Sequence, residues 1–139
     1  MKANPFHVIL LGGAALASCT TAPPTPTRAA LAQAQYQQLV GGKVATAPVS
    51  CVANYNTNDM VVIDGRTIAF RRGSRTTYIA NLSPGCELIS GGNYALVSRQ
   101  FGGLGTCRGD IQQVLDVSSR MNVGSCTIEQ ITPYVRTGR

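Results

Sequence analysis

Five cysteines, six carboxylates and a cluster of arginines are the side chains of this 139-residue chain with chemistry to offer. Histidine is nearly missing: His7 is the only one, and it lies in a leader segment. Without it, a Ser-His-Asp or Cys-His nucleophile has no imidazole base, and a zinc or iron site has no imidazole ligand. Cys51, Cys86, Cys107 and Cys126 lack the close CxxC pairs of a four-thiolate zinc site. In an oxidising compartment these four should pair, in any of three connectivities. No catalytic residue, metal or cofactor is expected. Asp64, Asp110 and Asp116 are the carboxylates from which an acid–base pair would be drawn, yet each stands beside a turn or strand end, where Asp is ordinary. Arg108-Gly109-Asp110 spells an adhesion tripeptide; the role expected of its aspartate is to cap a turn by accepting backbone N–H bonds.

Arg66, Arg71, Arg72 and Arg75 fall within ten residues that contain no acid. Guanidinium groups take phosphate and carboxylate bidentately, so these four are the candidate anion-binding residues. Strand alternation would send Arg66, Ile68 and Phe70 to one face and Thr67, Ala69 and Arg71 to the other, with Arg72 and Arg75 at a hairpin tip. The competing reading is a solvated, arginine-biased surface.

The leader tells where such chemistry would operate. Met1 and Lys2 give a positive start and Pro5 to Ala17 is mostly apolar, too short to span a bilayer as a helix of about 20 residues. Leu16-Ala17-Ser18-Cys19 closes it and resembles the lipobox of bacterial lipoproteins, in which the cysteine is acylated before cleavage. Ala15-Leu16-Ala17 also fits ordinary signal cleavage ahead of Ser18, but cysteine parity decides: five is odd, and acylating Cys19 leaves four to pair. Residues 1–18 are thus read as a lipoprotein signal peptide and residues 19–27 as a lipidated cysteine with a tether. Its proline and threonine favour an extended chain rising about 3.1 Å per residue, a reach of roughly 25 Å. Beyond the leader, eleven Lys and Arg, ten of them Arg, face six Asp and Glu.

Residues 28–42, "RAALAQAQYQQLVGG", are rich in helix formers, with Ala32, Tyr36, Leu39 and Val40 on one face and Gly41-Gly42 as the stop. No Glu or Gln stands three residues after the Thr27 cap, so this helix should depend on packing. From Val49 the pattern becomes short β-type runs: "VSCVA", "MVVI", "RTIAF", "TTYIA", "YALVS", "IQQVLDV" and "CTIEQI". Asp64-Gly65 suits a type I′ hairpin turn; Arg72 to Arg75 and Gly91-Gly92-Asn93 read as further turns. The expected fold is all-β, a small antiparallel sheet or barrel-like domain over residues 49–136, preceded by one short α-helix and stapled by disulfides.

Cys51, the stretch "VVIDGRTIAFRRGSRTTYIANLSPGCEL", "TCRGDIQQVLD" and the terminal "ITPYVR" resemble a domain-of-unknown-function family of small exported proteobacterial proteins, many of them lipoproteins. Ile131 stands where that pattern has Phe, and the first turn has one acid rather than two. The resemblance implies no activity. It does imply a pairing, Cys51 with Cys107 and Cys86 with Cys126, because relatives with only two cysteines keep those at the places of Cys51 and Cys107.

The functional expectation is a lipid-anchored, disulfide-bonded lipoprotein of the bacterial cell envelope. It faces the periplasm, at the outer membrane in preference to the inner, and acts as a non-catalytic binding or scaffolding module. The alternative is an inhibitor or accessory subunit of a periplasmic enzyme. Expected partners are the membrane through the anchor and an anionic envelope lipid or glycan, or an envelope protein; nucleic acid is not expected at this address.

Overall fold

The computed structural model describes residues 27–52, 59–99 and 105–138. The expected signal peptide, Cys19 and all of the tether but Thr27 lie outside the described residues.

The helix α1 covers Arg28–Val40, and the Thr27 hydroxyl caps it by accepting from the Ala30 N–H at 3.3 Å. Gly41 closes the last turn through a bond from its N–H to the Gln37 carbonyl, and Gly42 takes a left-handed φ of 68°. Packing does hold the helix: Ala32, Tyr36, Leu39 and Val40 lie on Ile63, Ala69 and Ile79 of the sheet.

Among the described residues nine strands follow: β1 (Val44–Ala45), β2 (Cys51–Val52), β3 (Met60–Asp64), β4 (Thr67–Arg72), β5 (Thr76–Leu82), β6 (Tyr94–Arg99), β7 (Thr106–Cys107), β8 (Ile111–Asp116) and β9 (Asn122–Val135). A 3₁₀ helix, Glu87–Gly91, leads into β6. The main sheet runs β3-β4-β5-β9-β8-β6, every neighbour antiparallel, and β2 pairs with β7 as a separate ribbon. The long β9 organises the domain. Its second half pairs with β5 along one edge; along the other, its first half takes β8 and its end takes β1. The sheet curls into a half-barrel, and the concave face holds the main core of Ile68, Phe70, Ala80, Leu82, Val114, Ile128 and Ile131, all buried. Cys86 and Cys126 belong to that core and are joined; Cys51 and Cys107 face each other across β2 and β7 and are joined too. These are the two pairs the family resemblance implied.

Three local expectations need correcting. Gly65 does not adopt a positive φ, so the β3–β4 turn is not type I′. Instead the Asp64 carboxylate accepts from the Arg66 N–H at 2.7 Å, and a register shift between Val62 and Asp64 absorbs the geometry. Glycine is needed there for space, because a Cβ would come within 2.6 Å of the Glu87 Cα. The faces of β4 are also less polarised than alternation suggests. Ile68 and Phe70 enter the main core, while Ala69, on the other face, is equally buried beneath α1. Finally, β9 starts at Asn122, four residues before the strand read from Cys126.

Candidate functional site

Arg66 sits at the β3–β4 turn, where its Nε donates to the Leu82 carbonyl at 2.8 Å. Arg71 lies five residues along, about 17 Å away at the strand rise of about 3.3 Å. Arg71 and Arg72 oppose Thr77 and Thr76 and therefore point to opposite faces. Arg75 is in the following turn, its Nη2 donating to the Gly138 carbonyl at 3.1 Å. The four do not share one surface: Arg66 stands at one end of the sheet, and Arg71, Arg72 and Arg75 surround the other.

Register brings two other cations to Arg71 that sequence reasoning missed. Tyr134 pairs with Thr77, which pairs with Arg71, so Arg136 follows onto the same face. Lys43 arrives from the chain leaving α1, its Nζ donating to the Leu39 carbonyl at 2.7 Å and to the Thr77 hydroxyl at 2.6 Å. Burial, and then the neighbouring Arg136 charge, lower the pKa of its ammonium. These residues wall a cleft of 470 Å³ between the end of α1 and the β4–β5 turn, with Gln35, Gln38 and Ser74 on its rim. The only sequence signal for it was the basic excess itself.

A larger groove of 1110 Å³ runs along the same sheet face toward the start of α1. Its floor is Thr67, Asn81, Gln130, Thr132 and Ile79, its wall is Ala32, Gln33 and Tyr36 of the helix, and its far end is closed by Arg28, Arg66 and Glu87. Register explains the floor: Thr67 opposes Asn81, which opposes Gln130, and Ile79 opposes Thr132. The Tyr36 and Tyr134 hydroxyls are 2.7 Å apart, with the rings edge to face. Burial and that hydrogen bond push the Tyr36 phenol up to about 12. At the other end Arg28 Nη1 donates to the Ser90 carbonyl at 3.2 Å. The Glu87 carboxylate accepts from the backbone, including the Gly85 N–H, and with Arg66 nearby its pKa is lowered.

Asp110 and Asp116 are used at turns. Asp110 is buried and its Oδ2 accepts from the Cys107 N–H at 2.7 Å, which gives the Arg-Gly-Asp tripeptide a structural use. Asp116 Oδ1 accepts from the Ser118 hydroxyl and the Ser118 and Ser119 N–H groups, and its pKa is lowered accordingly. Among the described residues, no three His, Cys, Asp or Glu side chains gather where they could hold a metal ion, and no helix is long and apolar enough to cross a membrane.

Residues 1–137 match the model of a family described as "Family of unknown function (DUF6491)". No curated protein and no solved structure matches the chain.

Proposed function

The chain belongs to DUF6491, and because that family has no known function we propose one from the chain's own residues: a lipid-anchored module of the bacterial cell envelope that binds a ligand without transforming it. The observation that carries the binding half is the groove between α1 and the sheet. Its 1110 Å³ lies just above the roughly 300–1,000 Å³ usual for small-molecule sites, large enough for such a ligand, and it combines apolar side chains with a few fixed polar groups. The anchoring half is supported by the lipobox-like Leu16 to Cys19, by the cysteine parity and by the proline–threonine run that follows. Two or more acyl chains hold a protein at a membrane far better than one, at about 0.8 kcal/mol per buried methylene. The ligand classes such an address offers are anionic envelope lipids and glycans.

A second reading, accessory subunit or inhibitor of a periplasmic enzyme, is favoured by one observation. Val97, Val117, Met121 and Val123 are exposed apolar side chains on or beside β6, β8 and β9, and exposed apolar clusters mark protein contacts.

Two measurements test the proposal. Fatty-acid labelling should mark the wild type and spare Cys19→Ala; an unlabelled wild type ends the anchor claim. Chain purified from native membranes should carry an envelope lipid or glycan that Asn81→Trp, which fills the groove floor, fails to retain. Equal recovery by both chains would refute binding in the groove, and recovery of one dominant protein by both would favour the second reading.

A further inference from the structure

We propose that the cleft walled by Lys43, Arg71 and Arg136 is a second binding site, distinct from the groove, and that it takes a phosphate group. This deepens the binding reading above by naming a ligand chemistry, but its evidence is separate. All six acidic residues of the chain lie in the described part of the molecule, and none of them lines the cleft. The nearest in register is Asp59, directly before the Met60–Phe70 pair, and it makes no hydrogen bond or ion pair with Arg71. Among the described residues the guanidiniums of Arg71 and Arg136 have no hydrogen-bonding partner at all. Arginine forks are usually satisfied by carbonyl or carboxylate oxygens, as Arg66, Arg75 and Arg108 are here. Two open forks beside one cleft therefore present donors to an oxyanion from outside the chain.

Lys43 differs from a mobile surface lysine. Thr77, fully buried, donates to the Leu39 carbonyl at 3.1 Å and accepts from Lys43, so the ammonium is held by the helix end on one side and the sheet on the other. Two of its three N–H groups are used, and the third is left for the cleft. Burial and Arg136 both work against its charge, and an anion seated between Lys43, Arg71 and Arg136 offsets that repulsion. Three cations, none of them in an ion pair among the described residues, match a phosphate, which carries up to two negative charges and three acceptor oxygens, better than a singly charged carboxylate.

The probe is inorganic phosphate, titrated into full-length chain carrying Cys19→Ser so that no acyl group contributes. Saturable binding is expected, weakened about tenfold or more by Arg71→Gln and by Arg136→Gln. Arg72→Gln, on the opposite face, should change it by less than about twofold. Thermal melts of the variants check that the fold is kept; both arginines are exposed, so little change is expected. Vesicles of phosphatidic acid, a phosphomonoester, against phosphatidylcholine then separate the sources. Retention on the anionic vesicles that phosphate displaces assigns a lipid headgroup, and phosphate binding without retention assigns a soluble phosphate. Failure of phosphate to saturate, or a loss with Arg72→Gln equal to that with Arg71→Gln, overturns the site. Neither result depends on the groove or the anchor, so the two proposals fail separately.

Discussion

Gly85 and Gly124 lie against each other where the chain before the 3₁₀ helix crosses β9. A Cβ on Gly124 would come within 2.4 Å of the Gly85 carbonyl oxygen, and one on Gly85 within 2.1 Å of the Ser125 carbonyl oxygen. The obstacles are backbone atoms, so neither can swing aside. This contact lets Cys86 reach Cys126, one residue beyond Ser125. Gly124→Ala is expected to destabilise by about 1–3 kcal/mol through overpacking, and Gly85→Ala by more, because Gly85 also holds a φ of 113° that alanine resists. Urea denaturation of the two variants checks the order; a neutral Gly85→Ala would mean that the crossing relaxes freely.

The two disulfides should differ in how reductant reaches them. Cys86 is 0 % and Cys126 4 % exposed, whereas Cys51 is exposed at the surface ribbon. Limited reduction of native protein followed by thiol tagging and peptide mapping should label Cys51 and Cys107 first, and Cys86 and Cys126 only as the domain unfolds. Removing either bridge by a double Cys→Ala change should cost up to about 4 kcal/mol on the chain-entropy estimate for loops of this length. Labelling in the reverse order would contradict the burial described here.

Alkali should find a late-titrating tyrosine. Tyr36 has its folded-state pKa raised to about 12 by burial and the Tyr134 hydroxyl, above the unfolded value of about 10. Its contribution to stability is therefore complete below about pH 10 and lost as pH rises through about 12. Spectroscopic titration should show a tyrosinate step near that upper value in the wild type, moved down in Tyr134→Phe, which removes the hydrogen bond. A Tyr36 step near the unfolded value of about 10 would refute the pairing.

The sequence made some of this legible and not the rest, for physical reasons. α1 and the strands β3, β4, β5, β6 and β8 announce themselves through period and turn residues, because each buries a regular face. β1 and β7, of two residues each, are too short to have a period: β1 forms on the edge that β9 offers, and β7 pairs with the equally short β2 beside the Cys51–Cys107 bridge. Of the first residues of β9, Asn122, Gly124 and Ser125 are polar or small, with Gly124 packed on backbone, and Val123 is exposed, so hydrophobic alternation could not mark them. The arginine cluster was visible as composition, but its division was not. Four residues of strand separate Arg66 from Arg71, while the partners Lys43 and Arg136 come from positions 28 residues before and 65 after Arg71, joined by strand register and by the bonds of the Lys43 ammonium.

The direction of α1 has a consequence for polarity. The helix begins beside Ser90 and Glu87 and ends at Lys43 and Thr77, so over about 18 Å of axis it carries the chain from one pole of the domain to the other. Whatever holds the protein upstream of Arg28 pulls on one pole, and the basic cleft occupies the opposite one. For a chain tethered to a bilayer, that makes the cleft the leading end of a leashed probe. Held that way round, the cleft stands beyond the screening distance of about 8 Å at physiological salt, so headgroup phosphates reach it only when the domain turns over on its leash, whereas a soluble phosphate reaches it in any orientation.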